Sequence, residues 1–206
     1  MKKFFLSLCV VLAATGFAMA QDMESVVNTY NSAATALNDG NLEDALNQFN
    51  TALEQATALG EEGAQVVSDS KDVIPKILLQ MGKKNAEGSD FDGAVEFFNK
   101  AIDKAQDFAN NDAVVAEAAK LIPQMLNAKA GALLNAKDYA GAVEAYKAVL
   151  ASDPENGMAL LRMGMAYAAD NKTDEAIEAL TKAAEFGQAA NAKSAVQKWL
   201  SANGLM

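Results

Sequence analysis

The sequence predicts an all-α protein built from repeated pairs of helices. Alanine, which loses no side-chain entropy in a helix, occupies 43 of the 206 positions, and there are only 3 prolines. The alternation of β-branched or aromatic residues with polar ones that indicates strands is almost absent. Four segments of the chain share one pattern of small and large apolar residues, which indicates internal repeats.

The first 20 residues are predicted to be an export signal rather than part of the fold. Lys2 and Lys3 give a basic start, and residues 4–14 form an apolar run too short for a lasting membrane anchor. Residues 18–20 read Ala-Met-Ala, the small-residue spacing of a signal-peptidase site, and polar residues follow at once. The alternative is a retained membrane helix. Cleavage predicts a bacterial protein in the periplasm, on the cell surface or outside the cell, without stable membrane insertion.

The repeated pattern occurs in residues 40–49, 89–98, 137–146 and 171–180. Each segment has a turn, then an alanine, then a large apolar residue four positions after that alanine. The alanines are Ala45, Ala94, Ala142 and Ala176, and the large residues are Phe49, Phe98, Tyr146 and Leu180. A small side chain lets two helices approach closely, while the large one fills the space beside it on the same face. Each segment therefore predicts a turn followed by the second helix of a pair.

This pattern resembles the tetratricopeptide repeat, a helix pair of 34 residues, over nearly all of residues 26–187. The resemblance implies a right-handed α-solenoid of about four helix pairs, with a C-terminal helix that covers the last apolar face. It places a repeat domain at 21–206, with repeats at about 26–59, 75–108, 123–156 and 157–190. The capping helix is expected at about 189–202, with Trp199 on its apolar face.

The spacing of the repeat alanines departs from the family, because successive intervals are 49, 48 and 34 residues. Both long intervals contain an Ile-Pro pair, with prolines at Pro75 and Pro123. One interpretation is a lengthened first helix that kinks or restarts at the proline. A short additional helix before each repeat fits the sequence equally well.

The composition of the sequence excludes most kinds of catalytic and metal-binding site. The chain has no histidine, which removes Ser-His and Cys-His nucleophile pairs and His-ligated metal sites. Its formal charge of -10 argues against a nucleic-acid partner, whose phosphates require a basic patch. Acidic pairs such as Glu61/Glu62 and Asp90/Asp92 are interpreted as charges that stabilise helix starts. We therefore expect no catalytic, cofactor-binding or metal-binding residue, and no enzyme activity.

In the tetratricopeptide family the first helices line a concave groove that holds a peptide. The groove candidates carried over from that pattern are Tyr30, Lys76, Leu79, Lys83, Gln124, Asn127, Leu161, Arg162 and Met165. Lys76 and Lys83 are two turns apart on one helix face, where they either anchor an acidic ligand or remain solvated. One subgroup of the family grips a C-terminal carboxylate with a Lys/Asn/Asn/Lys/Arg set. Here Tyr30 and Ala34 stand at its first two positions, so that set is not reproduced.

The resemblance implies an exported adaptor that binds a protein or peptide partner of the cell envelope. The alternative is a structural scaffold that associates with other copies of itself through exposed apolar repeat edges, as a homo-oligomer. An enzyme is the least supported class, because the usual catalytic combinations are missing from the sequence.

Overall fold

A computed structural model of the chain describes residues 17–109 and 111–186, together with Ser194, Gln197, Lys198 and Ser201. Within those residues the protein is all-α, with eight helices and no strand. The helices are α1 (Phe17–Asn38), α2 (Leu42–Ala58), α3 (Ala64–Glu87), α4 (Phe91–Asp107), α5 (Asp112–Asn135), α6 (Tyr139–Ser152), α7 (Gly157–Ala169) and α8 (Thr173–Phe186), with a 3-10 turn at Gly60–Gly63 before α3. The all-α class and the four predicted helix pairs are confirmed.

Two predicted segments fall largely or wholly outside the described residues. Residues 1–16 of the expected export signal lie outside them, whereas residues 17–20 form the first turn of α1. Trp199 and most of the expected capping helix at 189–202 also lie outside. Both remain predictions.

The turn inside each pair has the same backbone conformation. A three-residue connection joins the two helices, and its central residue has a positive φ, which reverses the chain direction. The central residues are Gly40, Ser89, Lys137 and Asn171, with φ of 79°, 62°, 64° and 60°. Because the connections are so short, the two helices of each pair run antiparallel.

Side-chain caps fix where two of the second helices begin. The Asp90 carboxylate accepts a hydrogen bond from the backbone N–H of Gly93 at 3.1 Å, ahead of α4. Asp138 does the same for Gly141 at 2.9 Å, ahead of α6. These bonds satisfy backbone donors that lack a partner inside the helix, and they place a negative charge at its positive end.

The two internal prolines do not interrupt their helices. Pro75 lies inside α3 and Pro123 inside α5, and each of these helices is 24 residues long. Of the two interpretations left open by the sequence, the lengthened first helix is therefore the one observed. In α3 the neighbouring Ile74 and Ile77 are 1% and 0% exposed, so tertiary packing stabilises the helix across the lost hydrogen bond.

The described chain divides into two compact units, one reaching Ala119 and the other starting at Lys120, within α5. In the first unit Phe49 and Phe98 are fully buried, and the Tyr30 ring meets the Phe49 ring edge-on at 5.2 Å between centroids. Gly82 of α3 lies directly on Phe98, since an added Cβ would approach that ring to 2.5 Å. The α3–α4 pair therefore depends on glycine at this position.

The second unit is organised in the same way around α6 and α7. A buried cluster contains Ala130 of α5, Ala142 and Tyr146 of α6, and Ala166 of α7. Gly164 of α7 lies against α8, because an added Cβ would come within 2.6 Å of Leu180. All four repeat alanines are 0% exposed, which confirms the predicted repeat register: Ala45, Ala94, Ala142 and Ala176.

This register predicts that Ala142 tolerates no added bulk. Ala142→Leu would force a larger side chain into a closely packed helix contact and should lower the unfolding free energy by about 1–3 kcal/mol, measured by urea denaturation. Ala148→Leu, on the exposed face of the same helix, is the matched control and should change stability little. Equal effects of the two substitutions would contradict the assigned register.

Candidate functional site

The nine groove candidates divide between the two units, and each set is described by itself. Tyr30, Lys76, Leu79 and Lys83 belong to the first unit, and Gln124, Asn127, Leu161, Arg162 and Met165 belong to the second. All of them lie on the first helix of a pair, as the family pattern implies. Their exposure differs sharply, however.

Tyr30 is a core residue, not an accessible groove residue as predicted. Its side chain is 1% exposed, and its hydroxyl has no hydrogen-bond partner among the described residues. Burial, together with the carboxylates of Asp69 and Asp72, raises the pKa of Tyr30 to about 12. Both carboxylates lie on the part of α3 that precedes Pro75. The lengthened helix therefore brings packing and charge to Tyr30 that a first helix of family length would not supply.

Leu79 and Leu161 are also corrected from groove to core positions. Leu79 is 6% exposed and Leu161 is 7% exposed. Leu161 packs in a buried cluster with Leu160, Leu180 and Ala183 of unit two. Burial of both leucines stabilises the helix pairs and leaves little of either side chain for a ligand.

Lys76 and Lys83 are each about 42% exposed in the side chain, but neither is an unpaired charge. Lys76 Nζ lies 2.7 Å from Asp72 Oδ2, one turn earlier on α3. Lys83 Nζ lies 2.6 Å from Glu117 Oε1 on α5. The expectation of a paired positive site for an acidic ligand is therefore not supported, since each ammonium group already has a carboxylate partner.

In the second unit, α5 places Gln124 and Asn127 with different exposure. Gln124 is exposed, whereas Asn127 is partly buried. The Asn127 Nδ2 donates to the backbone carbonyl of Pro123 at 2.9 Å. The amide group of Asn127 is thus held in place by its own helix.

A surface on α7, which we call the α7 surface, consists of Met158, Arg162 and Met165. The two methionines are 47% and 49% exposed, and Arg162 lies between them, exposed, on the same helix face. Arg162 is the only arginine in the sequence and forms no ion pair with a described residue. Burial raises the pKa of Tyr146, whereas the charge and the hydrogen-bonding capacity of the Arg162 side chain act in the opposite direction.

Sequence reasoning placed Arg162 and Met165 among nine candidates without distinguishing them. Met158 was not among those nine candidates, although Met158 and Met165 are two of the large apolar side chains that the structure exposes. The signal in the sequence that could have distinguished Arg162 is that it is the one arginine among 17 basic residues. The planar guanidinium of arginine makes contacts that the ammonium group of lysine cannot make.

Other features of the described residues lie apart from these candidates. Two shallow depressions of about 620 and 570 Å³ run along α1, lined mainly by amide and hydroxyl side chains such as Asn28 and Ser32. No group of acidic or cysteine side chains in the described part of the chain is arranged to hold a metal ion. None of the described helices has both the length and the apolar character needed to cross a membrane.

Comparison with known proteins agrees with the repeat pattern in the second half of the chain. The family model for the tetratricopeptide repeat matches residues 133–198, which include α6, α7 and α8. This match supports tetratricopeptide-like repeats in that part of the chain. No curated protein sequence matches the chain.

Several solved structures are similar to this chain, and three of them illustrate the range. The first TPR of Spaghetti (RPAP3), bound to the HSP90 peptide SRMEEVD, shares 21% identity, with 63% of this chain and 93% of that chain covered and a TM-score of 0.41. The Arabidopsis OM64 TPR domain shares 22% identity over 60% and 92%, with a TM-score of 0.38. A crystal structure of MamA shares 15% identity over 84% and 85%, with a TM-score of 0.41.

The burial of Tyr30 predicts a specific response to alkaline pH. The folded-state pKa is raised to about 12 from the ordinary tyrosine pKa of 10.0, so the stabilising effect of the neutral hydroxyl is complete below pH 10 and is lost as pH rises toward 12. At about pH 11 the wild-type protein should have lost about 1.4 kcal/mol more unfolding free energy than Tyr30→Phe, relative to about pH 8. Urea denaturation at both pH values measures the difference. Equal losses in the two proteins would mean that the Tyr30 hydroxyl is accessible to solvent.

Proposed function

We propose that this chain is an exported bacterial adaptor that binds a peptide segment of an envelope protein through the α7 surface. The single observation that carries the proposal is the exposure of Met158, Arg162 and Met165 together on the first helix of the fourth pair. The tetratricopeptide match to residues 133–198 supports it, because the first helices of this family form the ligand groove. Proteins of this family are generally interaction modules without catalytic activity.

The chemistry of the α7 surface suits a ligand that is both acidic and apolar. Methionine side chains are unbranched and polarisable, so Met158 and Met165 can adapt to apolar side chains of different shape. The Arg162 guanidinium presents several donors in one plane, which match the two oxygens of a carboxylate. A peptide with a carboxylate next to a leucine or methionine would use all three residues.

Arg162 is a better anchor for such a ligand than the lysines of α3. A ligand carboxylate that approaches Lys76 has to displace Asp72, and one that approaches Lys83 has to displace Glu117. In each case the resident carboxylate also repels the ligand carboxylate. At Arg162 no described carboxylate occupies the guanidinium. An exposed charge contact of this kind contributes roughly 0.2–1 kcal/mol and weakens as salt is added.

Charge reversal at Arg162 tests this assignment. A panel of fluorescein-labelled short peptides, each with two glutamates beside a leucine, is titrated with purified protein and followed by fluorescence polarisation. Arg162→Glu should weaken binding about tenfold, or about 1.4 kcal/mol, because it removes an attraction and adds a repulsion. Lys137→Glu, in the exposed turn before α6, makes the same change in net charge and should leave affinity nearly unaltered.

Two results would contradict the proposed site. Equal weakening by Arg162→Glu and Lys137→Glu would indicate general charge repulsion and no specific contact at α7. A panel from which the wild-type protein binds no peptide would contradict peptide binding itself. Light scattering on a sizing column, run on the same samples, distinguishes a monomeric adaptor from the alternative of a self-associating scaffold.

Export is the second part of the proposal, and it rests on the basic start, the short apolar run and the Ala-Met-Ala sequence at 18–20. Protein isolated from the envelope fraction of the producing cell should begin at Gln21, as determined by N-terminal sequencing. The same protein made with Ala20→Leu should keep its N-terminus, since a large residue does not fit the small-residue requirement of the cleavage site. Envelope protein that still contains Lys2 and Lys3 would disprove cleavage.

A further inference from the structure

Two methionines of α7 differ in exposure from the methionines of the other helices. Six methionines lie between residues 22 and 186, and of these only Met158 and Met165 are exposed, at 47% and 49%. Met23 is 6% exposed, and Met163, on the same helix as the exposed pair, packs against both buried clusters of the second unit. A dissolved oxidant reaches a thioether through the part of the side chain that solvent contacts. Within residues 22–186, Met158 and Met165 are therefore the most accessible thioethers.

The sequence offers an oxidant few other sulfur atoms. Its one cysteine is Cys9, which precedes the predicted cleavage site after Ala20. A cysteine thiolate is ordinarily a better nucleophile toward peroxides than a thioether. Cleavage at that site leaves a chain in which methionine is the only sulfur-containing residue.

The two exposed methionines are both helix neighbours of Arg162. Met158 precedes Arg162 by four residues, and Met165 follows it by three. Residues at these spacings lie on one helix face, with Cβ atoms about 5–6 Å apart. All three side chains are exposed, long and unbranched at Cβ. An acceptor atom added to either methionine sulfur is consequently within reach of the guanidinium group.

We propose that Met158 and Met165 form a reversible oxidation site that switches off binding at the α7 surface, with a peroxide as the oxidant. A lone pair of the methionine Sδ attacks one oxygen of hydrogen peroxide, and an S–O bond forms as the O–O bond breaks. The hydroxide that leaves takes the proton of the transferred oxygen and becomes water. Each sulfur is oxidised by two electrons, and the peroxide is reduced by two. This inference rests on the proposed function of the α7 surface and adds its regulation.

Oxidation changes both contacts that the α7 surface offers to a ligand. A sulfoxide is polar, so Met158 and Met165 no longer provide an apolar contact once they are oxidised. The sulfoxide oxygen is also a hydrogen-bond acceptor, whereas the guanidinium of Arg162 has only donors. A sulfoxide on the neighbouring residue therefore engages Arg162 and competes with the carboxylate of the ligand. Methionine sulfoxide reductases, one for each sulfoxide epimer, return both residues to the binding form.

The order of oxidation tests the site without a ligand. Purified protein is treated with dilute hydrogen peroxide, and peptide mapping by mass spectrometry follows each methionine with time. Met158 and Met165 should be oxidised at least about fivefold faster than Met163 and Met23, because their side chains are more exposed. Equal rates at the four positions would overturn the proposed site.

The contact between the sulfoxide and the guanidinium can be observed directly. Arg162 is the only arginine in the sequence, so a ¹H–¹⁵N spectrum contains one arginine Nε–H signal. Oxidation of Met158 and Met165 should shift this signal and slow its exchange with solvent, because the donor gains an acceptor. In the double variant Met158→Leu and Met165→Leu, peroxide should leave the signal unchanged. An unchanged signal in the oxidised wild-type protein would overturn the competition for Arg162.

The effect on binding is measured with the same glutamate–leucine peptides. Treatment that oxidises only Met158 and Met165 should weaken binding by the wild-type protein at least about tenfold, or about 1.4 kcal/mol, and the two reductases should restore it. The double leucine variant has no sulfur at these positions, so its own affinity should be the same before and after peroxide. Met163→Leu is the matched control on the same helix and should remain as sensitive to peroxide as the wild type.

The outcomes separate this inference from the proposed function. Full affinity in wild-type protein oxidised at both positions would overturn the switch and leave the α7 surface intact. Loss of affinity in the peroxide-treated double variant would also overturn it, because the effect would then arise elsewhere. Failure of the untreated wild-type protein to bind the panel would overturn the proposed function and the switch together. In that case the order of oxidation and the arginine signal still test the modification site by themselves.

Discussion

The close approach of the two helices in each pair is the contact on which the rest of the structure depends. In α3 and α7 a glycine faces a large residue of the following helix, with Gly82 against Phe98 and Gly164 against Leu180. In the α5–α6 pair Ala130 takes the glycine's place in the cluster that contains Tyr146. Because the side chains of the two helices interlock in such close contacts, they fix the rotation of both helices about their axes. That rotation decides which residues of a first helix remain exposed.

Local pattern was sufficient to predict the pairs, because each depends on residues close in sequence. The turn, the small residue and the large residue four positions later lie within one segment, and all four segments form the expected turn and helix. The outcome at Pro75 was not predictable in this way. Proline weakens a helix interior, and whether the helix continues depends on the packing of Ile74 and Ile77 against other elements.

The site was predicted less well than the fold, for two physical reasons. The family register placed Tyr30 in a groove, but that register has no equivalent of the residues of α3 before Pro75, where Asp69 and Asp72 lie and act on the Tyr30 hydroxyl. The possible role of Lys76 and Lys83 as anchors for an acidic ligand was inferred only from their positions on one helix face. The partner of Lys76 lies four residues away, but that of Lys83 lies 34 residues away on α5, which no local pattern indicates.

The candidate residues of the second unit differ from those of the first, because two of them on α7 are exposed without a structural role. In the first unit, Tyr30 and Leu79 are buried and Lys76 is paired, so each candidate has a structural role. In the second unit, Met158 and Met165 are half exposed, and Arg162 has no described carboxylate. Exposed apolar side chains forgo the stability that their burial would supply. Since this exposure does not improve the fold, it agrees with the binding role proposed for the α7 surface.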